Sequence, residues 1–279
     1  MRRELLRGLE RLHATTTVLQ RARRVDPHFG MWEAADVQWW WRLPRPTDDL
    51  ALPVWFDESG PAAAAGLTAW PQRWQADIFV VPALVDEREI WTAALEAADG
   101  HALELLVSDK DARLTELALE SGFTVTEDLS GTSWMDAEHR PPITPVDGFT
   151  IVDRVTRADR PHPMIPRNGA VVETRLRDCS LYDPTLDLAV EDANGTPVGY
   201  ALFWFDPTTR VGLLEPMRVE DEYQRRGLAR MLLTNGLDRL ARTGAARLKV
   251  GFQTDAARNL YLGAGFVQTS VDRLLVRQP

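Results

Sequence analysis

The 279-residue chain has one cysteine, Cys179. That excludes an intramolecular disulfide framework and suits a reducing compartment. The histidine nearest to it in sequence is His162, so Cys179 is expected to be a small buried filler rather than a nucleophile. The five histidines (13, 28, 101, 139 and 162) are scattered, and no metal site is expected. No run of 18 apolar residues occurs, which leaves no candidate for a spanning helix. Positive charge is in deficit, with 32 basic residues against 41 acidic ones and a net charge of −9. This argues against general nucleic-acid binding and against a polybasic membrane anchor. Neither G-x-x-x-x-G-K-[ST] nor G-x-G-x-x-G is present, so a nucleotide-binding reading has little support. The first 24 residues are basic, with leucines at helical spacing between charges, and read as a surface helix rather than a signal peptide. A cytoplasmic location is expected.

What the chain does have is an apolar content of 44%, enough for a substantial core, and a length that favours two domains. The stretch "MDAEHRPPITPVDGF" (135–149) is rich in proline and charge and is the best linker. The segments on either side resemble each other. "LLVSDKDARLTELALESGF" (105–123) and "LKVGFQTDAARNLYLGAGF" (248–266) each read as strand, polar loop, helix and Gly-Phe stop. "LALPVWFDESGPAAAAGLTAW" (50–70) parallels "LDLAVEDANGTPVGYALFWF" (186–205), each a β-hairpin signature. Both matches keep their order. We therefore expect two related α/β (α+β) domains, 1–138 and 148–279 with a linker at 139–147, each a mostly antiparallel mixed sheet flanked by helices.

The second half reads as a weak helical region (165–180), a hairpin (186–192 and 197–205), a strand (210–219), a helix (227–242), a strand (246–250), a helix (255–263) and a last strand (266–276). The stretch "YQRRGLARMLL" (223–233) sets two arginines and a glycine where the long helix begins. A helix start offers unpaired N–H groups and the positive end of the macrodipole. A glycine lets a ligand approach the main chain, and the arginines favour an anion such as a phosphate.

On these residues the sequence resembles the GNAT superfamily of acyl-CoA-dependent N-acyltransferases. The family signature Gln/Arg-x-x-Gly-x-Gly/Ala stands here as Gln224-Arg225-Arg226-Gly227-Leu228-Ala229. The next marker, Leu-Tyr-x-x-x-Gly-Phe, stands as Leu260-Tyr261-Leu262-Gly263-Ala264-Gly265-Phe266. The resemblance covers about 146–279 directly and the first half only through the internal repeat. Tandem GNAT proteins, including mycothiol-synthase-like ones, are similar to this layout.

The resemblance implies acetyl-CoA (coenzyme A) as cofactor, its pyrophosphate wrapped by Gln224, Arg225, Arg226, Gly227, Leu228 and Ala229. It implies that 215–219, "EPMRV", splays from its neighbour, so that main-chain groups around Met217 and Val219 pair with the pantetheine arm. Tyr261 matches the position that protonates the departing thiolate, and Glu215 could take a proton from the attacking ammonium. Thr254 stands where the family often has an asparagine that contacts the coenzyme. The preferred reading is acetyl transfer to a primary amine of a small-molecule or peptide acceptor, by direct attack in a ternary complex. The alternative is a non-catalytic acyl-CoA sensor or scaffold. The protein is expected to be monomeric, its two domains replacing a homodimer.

The first half differs at the matching places. Ala118 stands where Tyr261 stands, and Asp86, Glu87 and Glu89 make the corresponding helix start acidic, which repels a phosphate. This half is expected to be a degenerate copy. "WWWR" (39–42) reads as tryptophans alternating on a packed strand. The segment 160–184 lines the acceptor side in the family, and its His162, Arg167, Arg175 and Tyr182 suggest a polar or anionic acceptor.

Overall fold

The computed structural model describes residues 1–28 and 30–279. In chain order its elements begin with β1 (Arg2–Leu6), α1 (Gly8–Val25), α2 (Ala34–Trp40), β2 (Leu52–Asp57), β3 (Gly60–Ala69) and β4 (Trp74–Val80). There follow α3 (Glu87–Ala97), β5 (Leu103–Ser108), α4 (Ala112–Glu120), β6 (Thr124–Asp136) and β7 (Thr150–Asp153). Then come α5 (Ile165–Asn168), α6 (Val172–Arg177), β8 (Asp187–Glu191), β9 (Pro197–Asp206) and β10 (Val211–Val219). The chain ends with α7 (Leu228–Thr243), β11 (Arg247–Phe252), α8 (Asp255–Leu262) and β12 (Val267–Arg277).

Two compact units result. The first holds Met1–Trp40, Pro44–Ser130 and Ser270–Pro279; the second holds Trp41–Leu43 and Gly131–Thr269. Thus β6 starts in the first unit and finishes in the second, and β12 does the reverse. Both units are mixed α/β, with a mostly antiparallel sheet flanked by helices.

In the first unit the strands run β1-β2-β3-β4-β5-β12. All pairs are antiparallel except β4 with β5. The alanine run 62–65 of β3 is buried, and Gly66 is required because a Cβ there would stand 2.5 Å from the Phe79 ring. Residues 2–6 form a strand on β2, not the start of a surface helix; the helical leucine spacing takes hold only from Gly8. Trp39 and Trp40 lie on the short helix α2, not on a strand. Every residue of α2 is buried, so the segment carries no one-sided period to separate helix from strand. Trp40 meets Trp32 and Trp70 edge-on, at 4.8 and 6.2 Å between centroids.

In the second unit the order is β6-β11-β10-β9-β8-β7, with β10 and β11 the parallel pair. α7 buries Leu228, Met231, Leu232, Leu233, Leu237 and Leu240 in one core with Phe203, Leu214, Leu248 and Val250. Gly236 admits the Phe203 ring, which would stand 2.0 Å from a Cβ at that position. The weak helical region 165–180 becomes two short helices, α5 and α6, parted by Gly169 at φ +77°. Cys179 is buried, donates to the Arg175 carbonyl at 3.4 Å, and has its thiol pushed up to about 12 by desolvation. Among the described residues no helix is long and apolar enough to cross a membrane, and no group of three or more metal-binding side chains gathers.

Candidate active site

The loop before α7 is shaped by its own side chains. Gln224 donates from Nε2 to the Val219 carbonyl at 3.3 Å and to Asp221 Oδ1 at 3.0 Å. Arg225 and Gly227 then take left-handed conformations, φ +61° and +83°, on either side of Arg226. Successive turns of this kind aim neighbouring N–H groups into one concavity. Gly227 is the N-cap of α7 and supplies no side-chain cap, and the first helical bond is Met231 N–H to the Gly227 carbonyl at 3.0 Å. The earlier N–H groups of the first turn have no carbonyl within the helix. Leu228, 1% exposed, anchors the turn, while Arg225 is exposed and Ala229 half-buried. Arg226 is tied back: Nη2 donates to the Glu222 carbonyl at 3.1 Å, and its guanidinium lies 5.0 Å from the Tyr223 ring centre.

β10 leads to this loop. It pairs with β9 as far as Val219, but among the described residues it pairs with β11 only over 211–214. Among the described residues, 215–219 therefore do not pair with β11. The parting coincides with a bulge between Leu214 and Met217 in the β9 register, where Trp204 Nε1 donates to the Glu215 carbonyl at 2.8 Å. Met217 and Val219 pack half-buried against the α7 core.

Tyr261 is the one buried residue of α8, 6% exposed, with its ring edge-on to Phe266 at 6.1 Å. Burial first, and then the nearby charge of Glu215, push its hydroxyl pKa well above the ordinary tyrosine value. The phenol thus keeps its proton at neutral pH, and Glu215 stands within electrostatic reach of it. Thr254 is the N-cap of α8: its Oγ1 accepts from Ala257 N–H at 3.2 Å, leaving the hydroxyl hydrogen for another partner.

The four residues of 160–184 singled out by the sequence are engaged inside the protein. His162 is fully buried, with Nε2 2.8 Å from Asp187 Oδ2 and Nδ1 accepting from Met164 N–H at 3.2 Å, an arrangement that puts the ring proton on Nε2. Tyr182 donates to the same Asp187 oxygen at 2.8 Å. Arg175 stacks on Trp41 at 3.4 Å and donates to the Trp41 carbonyl at 2.7 Å. Arg167 makes a bidentate pair with Glu220 at 2.7 and 2.6 Å. Beside them opens a cleft of about 740 Å³, lined by Arg157, His162, Arg167, Tyr200, Glu220, Glu222 and four prolines. Arg157 and Tyr200 escaped sequence reading. Tyr200 sits in an unbroken apolar run and Arg157 in an unpatterned loop, so neither spacing nor composition marks them.

A strand thus parts from its parallel neighbour beside a helix start capped by glycine and a buried tyrosine. The model of the acetyltransferase (GNAT) family matches residues 154–266. That segment is similar to the domain the family shares. Solved structures extend the likeness to the whole chain. A tandem GNAT protein from the clavulanic acid biosynthesis pathway aligns with a TM-score of 0.69 at 16% identity, covering 99% of this chain and 98% of that one. A GCN5-related N-acetyltransferase from Sphaerobacter thermophilus gives 0.60 at 15% identity, covering 100% and 96%. A GNAT-family acetyltransferase from Colwellia psychrerythraea gives 0.61 at 12% identity, covering 100% of both. At such identities the likeness is one of fold, and the fold is that of two tandem GNAT-like domains. No protein of curated function matches the chain.

Proposed function

We propose that the second unit transfers an acetyl group from acetyl-CoA to a primary amine, on a small molecule or a peptide, by direct attack with both partners bound. The observation that carries this reading is the parting of β10 from β11 after Leu214, which opens a main-chain edge between Glu215 and the loop before α7. The residues fit the coenzyme. Gly227 leaves the first turn of α7 uncapped, which suits a diphosphate held by main-chain N–H groups of 225–229 with Gln224, Arg225 and Arg226 around it. Main-chain groups of Met217 and Val219 would hold the pantetheine arm as an added strand, and Thr254 would lend its hydroxyl hydrogen. When bound, the coenzyme supplies the acetyl thioester.

The chain's own groups then manage two protons. Glu215 takes one from the acceptor's ammonium, directly or through water, because only the neutral amine is nucleophilic. Tyr261 holds one on its phenolic oxygen for the leaving sulfur, and regains one, directly or through water, as the acylated nitrogen sheds its second proton to become the neutral amide.

The test is calorimetry with coenzyme A together with thiol release from acetyl-CoA across a panel of amines. Binding should weaken about tenfold or more when Arg225 and Arg226 are both replaced by alanine, since charged hydrogen bonds contribute roughly 1.5–3 kcal/mol. Unchanged affinity would count against the diphosphate assignment. Binding without turnover across a broad panel would mark an acyl-CoA sensor instead.

A further inference from the structure

The cleft beside Tyr200 is lined by an arginine with one buried guanidinium nitrogen that no protein group satisfies. Arg157 is 3% exposed and lines the cleft. Its Nε donates to Glu191 Oε1 at 2.5 Å, but its Nη1 is buried with no hydrogen-bond partner. Glu191 is shared, since Arg160 Nη1 stands 3.0 Å from the same oxygen. One carboxylate oxygen is thus shared by two guanidinium groups. An unpaired guanidinium N–H away from water is costly, and in native structures such groups commonly await a ligand or water.

The other groups around the cleft sharpen its character. Arg167 and Glu220 close on each other, so neither is the dominant charge. Glu222 is exposed, placing its charge at the solvent side, while the buried Asp187 carboxylate is engaged by His162 and Tyr182. Tyr200, 5% exposed, lines the wall from β9, and burial raises its hydroxyl pKa, so it stays a protonated donor. Across the ladder from Tyr200 lies Arg218, three residues beyond Glu215 on β10. Four prolines (161, 163, 166 and 197) complete the wall and offer apolar surface without N–H donors.

We infer that this cleft holds the acceptor, and that the acceptor is an amine bearing a carboxylate on a short apolar chain, its carboxylate taken by Arg157 Nη1 with help from the Tyr200 hydroxyl. Carboxylate matches the guanidinium fork, and the proline walls match the methylenes between the two ends. The amine end relies on the transferase reading above; the anion site does not.

The experiment compares glycine, β-alanine, aminobutyrate and aminopentanoate, each with its own carboxamide, by thiol release from acetyl-CoA with the full chain. At the best chain length the acid should exceed its amide in kcat/KM by about tenfold or more, chiefly through KM. Tyr200→Phe should cut that ratio about threefold, and Arg157→Lys should bring it close to one. Lysine keeps a charge for Glu191, and phenylalanine keeps the Tyr200 packing, so both variants should fold. Calorimetry with pentanoate should show binding to the wild type that is lost in Arg157→Lys. Equal use of acid and amide at every length, without pentanoate binding, would overturn the inference and leave the transferase standing. A ratio unchanged in both variants would overturn it too. Pentanoate binding through Arg157 without turnover of any amine would keep the anion site and sink the transferase.

Discussion

The helix that follows the parting strand starts differently in the two units. In the first, α3 begins at Asp86, whose side chain accepts from Arg88 N–H at 3.0 Å, with Glu87 and Glu89 in the first turn. In the second, α7 begins at Gly227, with no side-chain cap and two arginines before it. The strands alone do not make this distinction. Among the described residues, β4 pairs with β5 only at Trp74 and Gln75, so the first unit also parts its central strands. The lesson is that a parted sheet is common to both units, and that they differ in the charge and capping of the helix start beside it. The neighbours agree with that division. The first unit has the small buried Ala118 on α4 where the repeat aligns Tyr261, and its β4 carries a fully buried Asp77.

Asp77 gives the largest expected effect. Desolvation raises its pKa to about 7, against hydrogen bonds from Gln75 and Trp32. A carboxyl whose folded pKa lies above its unfolded value favours folding while protonated. Stability from this group is therefore fully present below about pH 4 and declines as pH rises to about 7, by on the order of 3–4 kcal/mol. Urea unfolding at both ends of that window should show a steeper loss for the wild type than for Asp77→Asn. Equal slopes would remove Asp77 as the group responsible.

Next is Tyr261→Phe, which deletes the buried hydroxyl within electrostatic reach of Glu215. Thiol release with a turned-over amine should drop about a hundredfold in kcat while coenzyme A affinity stays near that of the wild type. A variant with full kcat would end the proton-donor assignment. Gly227→Asp then makes α7 start as α3 does. Asp tolerates φ > 0 better than most residues, and its Cβ would meet only Val146 at 3.4 Å. The added carboxylate caps the turn and repels phosphate, so coenzyme A affinity should fall about tenfold by calorimetry with the melting temperature largely kept. The smallest effect belongs to Asp86→Ala, which removes the cap of α3 and should cost about 1 kcal/mol in urea unfolding. If that variant gained coenzyme A binding, the first unit would be closer to the second than its acidic start implies.

Much of the second unit was legible in the sequence. The long helix was read at 227–242 and stands at Leu228–Thr243, because its apolar residues recur on one face and Gly244 stops it at φ +114°. The hairpin over 186–205 was equally plain, with Asp192 Oδ1 accepting from Asn194 and Thr196 N–H and Gly195 at φ +76°. Reading failed where burial is all-round or the chain is irregular. α2 has no polar face to set a period, and α5 and α6 are too short to show one. The arginines of 160–184 drew notice by composition, yet Arg167 and Arg175 answer Glu220 and the Trp41 carbonyl, partners far off in sequence. Arg157 drew none, because an unmatched Nη1 exists only once Glu191 and Arg160 are in place around it.

By itself the sequence determined what rests on neighbours a few positions apart: the helix and strand periods, the turn residues, the glycine before α7 and the repeat that announced two related units. Only the tertiary structure decided the rest. It set where β10 leaves β11, brought Tyr261 within reach of Glu215's charge, assigned the last ten residues to the first unit, and left Arg157 Nη1 buried without a hydrogen-bond partner. The physical reason is range. Local propensity acts along the chain, whereas desolvation and charge pairing act through space and have no values until distant segments have met.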